Sequence, residues 1–392
     1  MSVWLQRSKW RPLSELSRSE VEQISHFLVA ESVRVGKRSD GSGESVVIRY
    51  NTTDQSCVDF ALMVEEECWK RGAHTLMRPV CFARERIKLS SKPEDSLREV
   101  EPLLLRVAET ADVDIYIGEC DDPNFTAGLV DRWKIGAPSR QKYRETMDDR
   151  NVRWAYVGWP IPSAALGYGV DPQGFRRILF NSIRQSFSKD LMSYLEYYGD
   201  ALRGKEKVRI IAKDGTDLGF TIKGRPVLLD DPTISVEDVA RGDVGLNIPC
   251  GEVFVAPLET TANGTIMFDE VALPGFGKMT NLRLKFAEGR VVEVSADDGA
   301  DRFNKFLDAN TGDKDRIAEL GIGCNPGAKY TGGSIIVDEK IYGTIHIAIG
   351  SNTGSYHGVN RASSHLDMIK SMKQGELHVD GKLVMKNGLP AR

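Results

Sequence analysis

The hydrophobic pattern changes period once along this chain, near Gly204, and that change restricts the fold more than any single motif. Before it, short apolar runs alternate with stretches whose apolar residues recur every three to four positions. Residues 45–50 read as a strand ending at Asn51-Thr52-Thr53, a turn and helix-cap signal. Residues 54–71 read as a helix, with Val58, Ala61, Leu62, Val64 and Cys68 on one stripe and Gly72 closing it. Further strands are expected at 74–80, 113–118 and 153–158, and further helices at 95–110, 140–151, 172–186 and 188–201. Strands alternating with helices of this length predict a parallel α/β sheet.

Past Gly204 the texture is short strands joined by turns. Residues 207–212 and 217–222 flank Lys213-Asp214-Gly215-Thr216, a hairpin signal. Strands follow at 265–268, 282–286, 290–294, 334–337 and 344–349, then a hairpin at 376–385 turning on Asp380-Gly381; one clear helix, 299–310, interrupts them. The expected architecture is α/β plus mostly-β: an N-terminal parallel-sheet domain over 1–204 and a β-rich, barrel-like domain over 205–392.

Composition excludes several classes. Hydrophobic residues make up 41% and charged residues 28%, usage that belongs to a folded globular chain. A net charge of −4 and a pI near 6.0 leave no electrostatic footprint for a nucleic-acid or anionic-membrane binder. No run of 18 apolar residues exists, and residues 1–7 lack the apolar core of a secretion signal. Six cysteines (57, 68, 81, 120, 250, 324) lack CxxC spacing, so neither a disulfide framework nor a zinc ribbon is indicated, and a reducing, cytoplasmic setting is expected. There is no GxxxxGK[ST] loop, HExxH helix or GxSxG elbow. Gly321-x-Gly323-x-x-x-Gly327 misses the dinucleotide spacing and reads as loop glycines.

Chemistry-bearing residues concentrate after residue 250. Four of the six histidines (346, 357, 365, 378) lie in the last stretch of the chain. Glu252 follows a Pro-Cys-Gly turn and opens an apolar run. Glu319 stands between Ala318 and Leu320 in an apolar stretch, where an unpaired buried carboxylate is costly. His346 interrupts the apolar run 344–349. His365 and Asp367 share one side of the chain if it is extended, about 6.6 Å apart at roughly 3.3 Å per residue; if it is helical, Ser363 or Ser364 caps a helix and the two diverge. Taken singly, each residue has a structural reading, as an edge carboxylate or a satisfied core histidine. Taken together, two Glu, two His and one Asp form a mixed nitrogen and oxygen set that suits zinc, cobalt or manganese, one ion or a pair.

These segments have a recognisable order. Asn247-Ile-Pro-x-Gly-Glu252-Val-Phe-x-Ala-Pro257, Glu319-Leu-Gly-Ile-Gly-x-Asn-Pro326, Asp338-Glu-Lys-Ile-x-Gly-Thr-Ile-His346 and Asn360-Arg-x-x-x-His365-x-Asp367 resemble the thermophilic metalloaminopeptidase family of the aminopeptidase T and S type. The resemblance implies an α/β domain and a β-rich domain framing two divalent metals, a peptide substrate with a free N-terminus, and a homodimer. It implies Glu252, Glu319, His346, His365 and Asp367 as metal ligands, with Glu252 and Glu319 also catalytic. The family's tyrosine, seven residues after the first histidine, is Thr353 here, so Tyr356 is the nearest replacement in a shorter stretch between the histidines. His378, in the terminal hairpin, matches no ligand position. Ring-cleaving dihydroxypyridine dioxygenases, which use one iron on a His and an HxD, look similar in fold and are the alternative; they lack the two glutamates.

Overall fold

The computed structural model describes residues 16–273 and 275–391, so the segment 1–7 lies outside the described residues. Five parallel strands form the first sheet, in the order His74–Val80, Ser45–Asn51, Val113–Gly118, Arg153–Gly158 and Gly245–Ile248. The last of these comes from beyond residue 204. Asp54 caps the helix Gln55–Lys70 by accepting from the Ser56 amide at 2.9 Å. That helix buries Phe60 and Val64 against Ile48, Ile115 and Val157. Trp159, fully buried, stacks on Phe60 at 4.4 Å and donates to Ser56 Oγ at 2.9 Å, so its apolar body and its one polar atom are both satisfied.

Two elements differ from the sequence expectation. The helix expected at 95–110 is two helices, Glu94–Arg98 and Pro102–Thr110, because Pro102 holds Glu101 extended and donates no amide hydrogen. The strand expected at 334–337 is a single helical turn, Ile335–Asp338. Its β-branched run suits a strand, but Asp338 reels the chain back by accepting from Thr331 N at 2.7 Å, Thr331 Oγ1 at 2.9 Å and Gly333 N at 3.1 Å. Ile336 and Val337 then bury in the first core, which also takes in Ile234. The helix Phe82–Ser91 has no counterpart in the sequence reading.

The β-rich part holds two sheets. An eight-stranded antiparallel sheet runs from Arg290–Ser295 at one edge, through Lys207–Ala212, to Leu389–Pro390 at the other. A five-stranded antiparallel sheet orders His365–Ser371, Thr344–Gly350, Ile317–Gly323, Glu252–Val255 and Leu228–Asp230. Between them lies a second core that includes Leu320, Ile322, Ile345, Ile347, Phe268 and Leu284, together with Leu191, Leu195 and Tyr198 of the helix Lys189–Leu202. No helix among the described residues is long and apolar enough to cross a membrane.

Candidate metal centre

Side chains alternate between the faces of a strand, so the residues that feed the second core leave their neighbours on the opposite face of the five-stranded sheet. On the Ile317–Gly323 strand those neighbours are Glu319, Gly321 and Gly323; on Thr344–Gly350 they are His346 and Ala348; on the outer strand they are His365 and Asp367. Register then sets the geometry. His346 lies opposite Gly321, Ala348 lies opposite both Glu319 and Asp367, and Gly323 lies opposite Glu252. Gly321 and Gly323 are therefore strand residues, not the loop glycines read from their spacing. A Cβ at Gly321 would stand 2.0 Å from His346 Nε2, so the absent side chain is the space the imidazole occupies.

All five expected ligands meet on this face. His346 Nε2 is 3.2 Å from Glu319 Oε1 and 3.3 Å from Glu252 Oε2. His365 Nε2 is 3.1 Å from Glu319 Oε2 and 3.2 Å from Asp367 Oδ1. Two groups able to hold an ion result, Glu252–Glu319–His346 and Glu319–His365–Asp367, each with its donor atoms within 4.8 Å of one another. Glu319 belongs to both, one oxygen turned to each histidine. The His365 Nδ1 lies 2.7 Å from the Ser351 carbonyl, which fixes the proton there and leaves Nε2 free to ligate. His378 stands elsewhere, beside Glu376 at 3.0 Å.

Electrostatics agree with a site built for cations. Burial opposes ionisation of Glu319, yet the His346 and His365 imidazoles hold its carboxyl well below the ordinary range. Burial favours a neutral His346, but Glu319 and Glu252 lift it to about 9. Burial likewise raises Glu252, against the pull of Lys340. Glu252 Oε2 is buried without a hydrogen-bond partner, and His346 Nδ1 is too. An unpartnered carboxylate oxygen facing a ring nitrogen is a ligand position, and the residues present fit a divalent ion.

Three residues here escaped the sequence reading. Lys340 is fully buried, its Nζ 2.6 Å from Glu252 Oε1, 2.9 Å from Asp230 Oδ2 and 2.7 Å from Glu339 Oε1. It occupies one oxygen of Glu252 and leaves the other free. Asp230 and Glu339 complete its shell. The only sequence signal was a charged triplet, Asp338-Glu339-Lys340, placed against an apolar run. Asn325 supports the turn before Glu252, donating to the Cys250 carbonyl at 2.8 Å and the Ser182 carbonyl at 2.9 Å. Tyr356 donates to Glu319 Oε2 at 2.9 Å, and its ring lies 5.4 Å from that of Phe254.

The model of the thermophilic metalloprotease (M29) family matches residues 20–389, nearly the whole chain. The chain belongs to the M29 family. By family it is a metalloprotease, a hydrolase acting on peptide bonds, and its described residues include groups that could hold a metal ion. Among solved structures, wild-type AmpT from Thermus thermophilus superposes with a TM-score of 0.71 at 19% identity, covering 95% of this chain and 99% of that one. The 2,5-dihydroxypyridine dioxygenase from Pseudomonas putida KT2440 superposes with a TM-score of 0.62 at 15% identity, covering 96% of this chain and 98% of that one. At these identities the likeness is one of fold, and an M29 peptidase shares its architecture with an oxygenase. No curated protein matches in sequence.

Proposed function

We propose that the chain removes N-terminal residues from peptides with two divalent ions, one held by Glu252, Glu319 and His346 and the other by Glu319, His365 and Asp367. The observation that carries this reading is the division of Glu319 between the two groups, one oxygen to each histidine. Asp230, Glu252 and Glu339 surround one ammonium, Lys340, while Glu319 and Asp367 stand beside the two imidazoles, an acid-rich cluster of the kind that holds divalent ions. Zinc, cobalt and manganese all suit the donor set.

When bound, such ions acidify a water and polarise a peptide carbonyl. The chain's residues do the rest. A carboxylate of the cluster, Glu252 or Glu319, would accept the proton of the attacking water and return it to the leaving amine, with the Lys340 ammonium on Glu252 Oε1 fixing that side chain's orientation. Burial and Glu319 keep the Tyr356 hydroxyl protonated, so its single O–H, which rests on Glu319, could turn to the oxygen on which negative charge develops. The free α-amine of a peptide's end would bind one of the ions or a nearby acid of the cluster, which favours removal of single terminal residues. Glu252 and Glu319 argue for hydrolysis over iron-dependent ring cleavage.

Elemental analysis after reconstitution should find close to two divalent ions per chain. Glu319→Gln should lose both ions and lower turnover of aminoacyl-p-nitroanilides at least 10³-fold, an effect in the range of losing a metal-bound catalyst. One ion per chain with Glu319→Gln active, or an iron content with oxygen uptake on a dihydroxypyridine, would overturn the reading.

A further inference from the structure

Tyr356 reaches Glu319 from the segment between Gly350 and His365, and that segment has little regular structure of its own: one turn, Gly354–Tyr356, followed by His357 at a φ of +53°. Its ends are tied by the Ser351 amide to the Ser364 carbonyl at 2.8 Å. One hydroxyl–carboxylate bond cannot order the backbone that carries it, because fixing several residues costs more than one such bond contributes. Something else holds the tip.

Beneath it lies an ion pair contributed by two other loops. Arg225 Nη2 is 2.6 Å from Glu259 Oε2, with side chains only 8% and 7% exposed. Both partners also bind the tip's backbone or its supports. Arg225 donates to the His357 carbonyl. Glu259 Oε1 accepts from the Val359 amide at 2.8 Å and from Asn352 Nδ2 at 3.1 Å. Asn352 in turn accepts from the Asn360 amide at 2.9 Å, and Gly358 lies so close to the Asn352 side chain that a Cβ there would stand 2.1 Å from it. The residues flanking Tyr356 on its C-terminal side are thus bound to a buried charge pair. That pair bonds to the loop and its supports, not to the five candidate ligands.

We propose that Arg225 and Glu259 are positioning residues that place the Tyr356 hydroxyl over Glu319. The inference rests on the reading of Tyr356 as the oxyanion donor, and its test separates the two. Tyr356→Phe, Glu259→Gln and their combination are compared for kcat and KM on an aminoacyl-p-nitroanilide, for bound metal, and for amide exchange over 352–360. Tyr356→Phe should lower kcat about 10²-fold. Glu259→Gln should lower kcat about 10-fold with KM and metal content unchanged, speed exchange over 352–360, and add less than about 2-fold when combined with Tyr356→Phe. A full 10-fold loss on top of Tyr356→Phe, or unchanged exchange at 352–360, would overturn the positioning role. If Tyr356→Phe alone leaves kcat intact, the oxyanion reading fails, while faster exchange in Glu259→Gln still upholds the anchoring of the loop. Should Glu259→Gln not fold, Arg225→Met with Glu259→Gln leaves no charge unpaired and takes its place.

Discussion

At the carboxyl end of the parallel sheet, Glu119, Asp121 and Asp338 are buried among hydroxyls and amides; on the five-stranded sheet, Glu252 and Glu319 are buried among a lysine and two histidines. Glu119 accepts from Ser334 Oγ at 2.6 Å and Tyr168 at 3.3 Å, and Asp121 accepts from Asn51 Nδ2 at 2.8 Å and the Phe82 amide at 3.0 Å. Burial pushes Glu119 and Asp338 up to about 7, so near neutrality these two shed charge by holding protons. In the second, Glu319 stays ionised, Lys340 is charged, and Glu252 keeps an oxygen without a hydrogen-bond partner. One cluster is closed by its own donors and joins two parts of the fold. The other leaves a carboxylate oxygen and a ring nitrogen without hydrogen-bond partners among groups able to hold an ion.

The largest effect that can break this contrast comes from Lys340. In metal-free protein, Lys340→Met leaves three carboxylates around an uncharged side chain, and removing one partner of a buried pair costs about 3–5 kcal/mol. Glu119→Gln, made in the cluster that already holds protons and facing two hydroxyls that can turn to suit an amide, should cost less than about 1 kcal/mol at pH 6. Urea unfolding of the two variants at that pH is the measurement. Equal losses would mean that the clusters are not neutralised in different ways.

Next in size is the pH response of Glu119. Its folded-state pKa, about 7, lies above the ordinary carboxyl value of 4.5. An acid raised on folding gives stability that is whole below the unfolded value and lost as pH rises through the folded one. The swing between pH 4.5 and 7 amounts to about 3 kcal/mol at 1.36 kcal/mol per unit. Glu119→Gln should therefore flatten the decline in melting temperature between pH 5 and pH 8 and be relatively more stable at the upper end. A variant that declines as steeply as the parent would assign the pH response to other groups.

Much of the second cluster was legible in the sequence, and for one reason. Glu252 opens an apolar run and Glu319 and His346 each interrupt one, and a polar residue in a buried strand has to be matched by a partner. His365 and Asp367 needed only the strand reading that their outer position supplies. Lys340 was not legible because it sits after a helical turn whose Ile-Ile-Val composition favours a strand, and only the Asp338 side chain reverses that preference. Asp230 lies on a three-residue strand too short to show a period. The parallel sheet was legible up to residue 158, but Gly245–Ile248 joins it from far along the chain, a pairing no local pattern encodes.

Gly321 offers the finest test, because a single methyl group separates the two halves of the metal site. It pairs with His346 across the sheet, and a Cβ would collide with Cε1 and Nε2 of a ring held between two neighbouring strands. Nothing comparable confronts His365, which is two strands away on the sheet edge. Gly321→Ala should displace the imidazole from Glu252 and Glu319 and weaken one ion about 10–100-fold, some 1.4–2.7 kcal/mol, while the ion at Glu319, His365 and Asp367 keeps its affinity. Calorimetric titration of metal-free protein with zinc resolves the two events. Loss at both sites would point to a disturbed strand, and loss at neither would remove His346 from the ligand set, leaving Glu319 with one histidine to serve and the cluster with room for a single ion.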